Sequence, residues 1–71
     1  MARMLAKPPI DLPARAAAEY LQRAGAVPAR AGSQSDVPPG AQRYRASAGF
    51  WIDVSPLPGG FRLEILQSCV C

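Results

Sequence analysis

Phe50-Trp51-Ile52-Asp53-Val54-Ser55-Pro56-Leu57-Pro58-Gly59-Gly60-Phe61-Arg62-Leu63-Glu64-Ile65-Leu66 is the stretch on which the fold turns. Phe50, Ile52 and Val54 alternate with Trp51, Asp53 and Ser55; beyond the turn, Phe61, Leu63 and Ile65 alternate with Arg62 and Glu64. Successive side chains of a strand point to opposite faces, so a period of two on both sides of a Pro/Gly cluster spells a half-buried β-hairpin. Pairing Val54 with Phe61 aligns Ile52 with Leu63 and Phe50 with Ile65 on the inner face. It also sets Asp53 opposite Arg62 and Trp51 opposite Glu64 on the outer face, and slips by two residues keep the same faces.

Upstream, Gln42-Arg43-Tyr44-Arg45-Ala46-Ser47 reads as a first strand, with Tyr44 and Ala46 inward. Ser47-Ala48-Gly49 suits a three-residue hairpin loop. Pairing Ala46 with Phe50 places Arg45 beside Trp51 and Arg43 beside Asp53. The last strand would then be a sheet edge, open to another chain.

Further upstream lies a helix over 14–24. Asp11 suits its N-cap and Pro13 its first turn, where a missing N–H is harmless. Ala16 or Ala17, Tyr20, Leu21 and Ala24 share one face; Arg15, Glu19 and Arg23 share another, with Glu19 and Arg23 spaced for an ion pair. Gly25 and Pro28 stop the helix, and Val27 can fold back on its last turn. The expected architecture is α+β: one α-helix packed on a three-stranded antiparallel β-meander (α-β-β-β). Residues 1–9 read as a flexible tail, 10–68 as a single small domain with a mobile connector over 28–41, and 69–71 as a Cys-x-Cys tail.

With 71 residues the chain makes one domain at most, and a hydrophobic fraction of 49% overstates its core. Thirteen of those residues are alanine and only twenty are Val, Ile, Leu, Met, Phe, Trp or Tyr. At about 25 cal/mol per Å² alanine adds little, so the core is thin and self-association or a partner would help complete it. Seven arginines and one lysine against five acids give a net charge of +3, a mild basic bias. No apolar run approaches the roughly 18 residues of a membrane helix, and no secretory h-region precedes Pro8-Pro9. A cytoplasmic protein with no membrane association is expected.

Chemistry is sparse in this sequence. With no histidine and with Asp11, Glu19, Asp36, Asp53 and Glu64 scattered, an enzyme is not expected, nor is a cofactor. Cys69 and Cys71 are weak candidates for a soft metal, because a closed site needs about four ligands. Cys69-Val70-Cys71 also resembles the C-x-C tails of prenylated small GTPases, but nothing upstream resembles a GTPase. The outer face of Arg43, Arg45, Trp51, Asp53, Arg62 and Glu64 has the composition of a stacking-and-charge surface for single-stranded nucleic acid. The plainer reading is a self-neutralised ladder: Asp53 between Arg43 and Arg62, and Trp51 under Arg45. Leu66 breaks the polar alternation and forms, with Trp51, an apolar patch of the kind that marks a protein contact. The expected function is therefore a non-catalytic binding module for an acidic protein partner or for a second copy. Trp51, Leu66, Arg43, Arg45 and Arg62 would make the contacts.

Asp53 to Gly60 also resembles the double-glycine leaders of ribosomally made bacterial peptides. Leu57 and Val54 stand four and seven positions back when Gly60 is counted as one, and Asp53 stands where such leaders carry an acid. The resemblance implies cleavage after Gly60 and release of 61–71. Gly49 in place of an apolar residue, and Pro56 and Pro58 in a segment that should be helical, depart from that pattern.

Overall fold

The computed structural model describes residues 8–29, 37 and 39–66. Residues 1–7 of the tail expected over 1–9, most of the expected connector, and Cys69 and Cys71 lie outside the described residues. The ordered elements are β1 (Ile10–Pro13), α1 (Ala14–Arg23), β2 (Val27–Pro28), β3 (Gln42–Arg45), β4 (Trp51–Leu57) and β5 (Gly60–Leu66). They form an α+β fold, one helix on a five-stranded sheet of order β1-β5-β4-β3-β2.

Every neighbouring pair is antiparallel. The expected three-stranded meander is present as β3-β4-β5, with two further strands at its edges. β1 pairs with β5 through Ile10↔Leu63 and Leu12↔Phe61, so β5 is internal and not the edge expected of it. β2 closes the far side through Val27↔Arg45 and Pro28↔Tyr44. Both true edges are short and carry proline. The Ala29 N–H donates to the Arg43 carbonyl at 3.0 Å, so the neighbouring Pro28 turns its nitrogen away from β3. A proline facing outward removes the donor that an incoming strand would need.

The hairpin register is shifted by two residues from the expected one: Val54 pairs with Leu63, Ile52 with Ile65, Asp53 with Glu64 and Trp51 with Leu66. The cause is the turn. Leu57 pairs with Gly60 across only Pro58 and Gly59, and Gly59 has φ +82°, as the third position of a type II turn requires. Gly60 is needed for a different reason. A Cβ there would fall on the Leu12 carbonyl oxygen, where β1 passes close to the start of β5. In the first hairpin the expected register is found, with Arg43↔Asp53 and Arg45↔Trp51. Its loop is closed by Gly49 N–H to the Ala46 carbonyl and Ala46 N–H to the Phe50 carbonyl, each 2.9 Å.

The helix begins after Pro13, which occupies the N-cap position without a side-chain cap. Asp11 is not the cap; it lies in β1 and faces Arg62. At the other end Gly25 N–H donates to Gln22 and Ala26 N–H to Leu21, with Gly25 at φ +64°. This is the Schellman arrangement that Gly25 suggested. Ser47 then ties the helix end to the β3–β4 loop, its N–H and hydroxyl both donating to the Ala24 carbonyl at 2.9 and 3.1 Å. The described residues thus run from β1 at one edge of the sheet, across the face as α1, to β2 at the other edge. Val27 does not fold back on the helix but remains 57% exposed in β2.

The core lies between α1 and the first face of the sheet. Ala17, Ala46, Ile52, Leu63 and Ile65 are buried there, with Leu12, Tyr20, Leu21, Tyr44, Phe50, Val54 and Phe61 packed around them. The β3, β4 and β5 members, with Ala46 and Phe50 beside them, are those the alternation assigned inward, Ala17, Tyr20 and Leu21 are those of the helix face, and Leu12 of β1 joins them. Each fully buried Ile or Leu contributes on the order of 1.5–3 kcal/mol. The core is small, as the alanine-rich composition implies.

Candidate functional site

The second face of the sheet carries every residue expected to meet a partner, ordered in three cross-strand rows. One runs Asp11–Arg62–Ser55, the next Glu64–Asp53–Arg43, and the third Leu66–Trp51–Arg45–Val27. The rows follow from register alone, because directly opposed residues share a face.

The middle of this face is not a solvent surface. Arg43 and Asp53 are 1% and 0% exposed. The Arg43 Nε donates to Asp53 Oδ1 at 2.7 Å and its Nη2 to Oδ2 at 3.0 Å, a bidentate pair. The Trp51 ring lies against the same guanidinium, 4.6 Å from Arg43 Cζ to the ring centroid. The indole therefore stacks on its diagonal neighbour Arg43, and not on Arg45 directly across from it. A planar guanidinium can accept a carboxylate at its edge and an aromatic ring at its face together, which a lysine cannot do.

Leu66 is also buried, at 4% exposure, against its cross-strand partner Trp51. The exposed Trp51/Leu66 patch is thus corrected: Leu66 is buried and Trp51 half-buried. Of the five expected contact residues, Arg45 and Arg62 are exposed, Trp51 is partly so, and Arg43 and Leu66 are buried. Val27 was missed. A two-residue strand ending in proline gives no alternation to read, and only its place across from Arg45 brings it into the row.

At the other end of the face, Arg62 donates through Nε and Nη2 to the two Asp11 oxygens at 2.7 and 3.1 Å. These hydrogen bonds hold the Asp11 carboxyl below the usual aspartate range and raise the Arg62 guanidinium above its own. Both side chains stay about half exposed, at 48% and 55%. Arg62 was expected opposite Asp53; the two-residue shift sets it across from Ser55, and β1 on its other side supplies Asp11.

On the opposite side of the molecule a groove of about 540 Å³ runs along α1, lined by Leu12, Ala16, Glu19, Tyr20, Arg23 and Ala24. The expected Glu19–Arg23 ion pair is not formed: among the described residues neither side chain has an ionic partner within 4 Å. No group of three or more potential metal ligands occurs among the described residues, and none of their helices is long and apolar enough to cross a membrane. No family model matches the chain, and no curated protein or solved structure is significantly similar to it.

Proposed function

We propose that the chain is a small non-catalytic binding module that engages a protein through the Val27–Arg45–Trp51 row of the second face. The observation that carries this reading is Val27, the one large apolar side chain strongly exposed among the described residues. It stands directly across from exposed Arg45, which in turn stands across from the half-buried indole of Trp51. An exposed apolar residue, a cation and an aromatic edge in one row form a short anchor suited to a segment that presents an apolar side chain beside an acid. Arg43 and Leu66 flank the strip: Arg43 lies over the Trp51 ring, and Leu66 is buried across from Trp51 on β5.

Charge favours a protein over nucleic acid as the partner. The described residues hold five arginines against four acids, so most of the basic excess lies elsewhere in the sequence. On the sheet, Arg43 and Arg62 are each bound by an aspartate. A phosphate backbone needs several cations able to displace counterions. The module reading is also supported over peptide release. Gly59 and Gly60 each answer a local requirement of the fold, and a cut after Gly60 would detach the strand carrying Leu63, Ile65 and Leu66.

Photocrosslinking tests the proposal. A crosslinker at Val27, in cells that make the protein, is expected to yield one recurrent protein adduct that disappears with Arg45→Glu. Adducts to nucleic acid, or a pattern identical to that from exposed Ala14, would overturn it.

A further inference from the structure

The α1 groove has a self-complementary rim, and we propose that it seats the α1 of a second copy, related by a two-fold axis across the groove. Leu12, Ala16, Tyr20 and Ala24 give an apolar lining, and the alanines at 16 and 24 let a second helix approach to about 8–10 Å. Glu19 and Arg23 also line the groove, exposed and one helical turn apart. Such a pair normally closes on itself, yet here both charges are left unpaired among the described residues.

Opposite charges one turn apart on one flank have a specific symmetry. When two such helices pack antiparallel about a two-fold axis, that flank faces its own copy. Glu19 then meets the partner's Arg23, and Arg23 meets the partner's Glu19. An acidic foreign helix would oppose Glu19 and a basic one would oppose Arg23; a second copy satisfies both. The occupant also suits the thin core, since Tyr20 and Leu12 would gain apolar cover that one copy alone does not supply. This surface lies apart from the Val27–Arg45–Trp51 row, so the proposal does not rest on that reading.

Sedimentation equilibrium of the full chain, from micromolar to millimolar, tests it. A monomer–dimer equilibrium is expected. Glu19→Arg and Arg23→Glu should each weaken it by about tenfold or more, because either one sets like charges across the two-fold axis. Both changes in one chain should restore dimerisation. So should an equimolar mixture of the two single variants, where every cation again meets an acid. Circular dichroism should show equal helix in every variant, because both positions are exposed. A chain that stays monomeric throughout would overturn the proposal, as would a dimer indifferent to the single changes or a mixture that fails to recover.

Discussion

Arg43–Asp53 and Arg62–Asp11 are almost the same bond made twice. Each is a cross-sheet arginine–aspartate pair on the second face, each uses Nε and Nη2, and the shorter contact is 2.7 Å in both. They differ in burial: 1% and 0% exposed in one, 48% and 55% in the other. Geometry is therefore no guide to what each contributes. Water screens the outer pair and solvates either partner if the other is removed, so such pairs contribute little to stability. The inner pair was taken out of water at a cost comparable to its attraction, and its value lies in what happens when one half is lost. The outer pair is replaceable; the inner pair commits the fold to both members.

The largest expected effect comes from breaking the inner pair. Asp53→Ala leaves a guanidinium buried, and should destabilise by about 3–5 kcal/mol in urea unfolding. For a domain this small that is most of the available stability, so the cooperative transition should shrink or vanish. A loss no greater than that of Asp11→Ala would show that burial does not separate the two pairs.

A smaller change probes the indole. Trp51→Leu keeps an apolar side chain but removes the ring from Arg43, and should cost about 2 kcal/mol or more, the value for a desolvated cation–π contact. Breaking the outer pair should matter least. Asp11→Ala should lower the urea midpoint only slightly, a loss that added salt reduces further. Its pH signature has a definite sign. The Asp11 carboxyl is depressed in the folded state by its hydrogen bonds to Arg62, so the contribution is present above the unfolded-state value. It fades as pH falls through the folded value. Asp11→Asn should therefore be slightly less stable than the parent at neutral pH, and the difference should vanish in acid below the folded value; a difference that persists unchanged in strong acid would contradict this assignment.

The sequence made one side of this contrast readable and hid the other. That Arg43 lies beside Asp53 follows from alternation and a three-residue loop, both local features. That the two are buried does not follow, because a charged row and a solvent row have the same period of two. The inner face was legible for the same reason, since Ile52, Leu63 and Ile65 are apolar wherever the register falls. The register was less so: a two-residue slip preserves every face, and only Pro58-Gly59 as the two central residues of a type II turn discriminates. β1 lay hidden because Asp11-Leu12-Pro13 is also a good helix entrance. β2 was hidden because two residues have no period at all. The unformed Glu19–Arg23 pair was beyond reach, as spacing permits an ion pair without requiring it.

The crossing of α1 from one edge of the sheet to the other has a consequence for the order of assembly. The β3-β4-β5 meander joins strands through loops of a few residues and can close quickly, whereas Ile10 meets Leu63 only after a loop of about fifty residues has been brought together. During synthesis β1 leaves the ribosome first, yet its neighbour β5 comes last. The earliest strand and the helix behind it must wait for almost the whole domain before their apolar sides are covered. The prolines flanking β1 are well placed for that interval, keeping an unpaired early strand from finding a wrong neighbour.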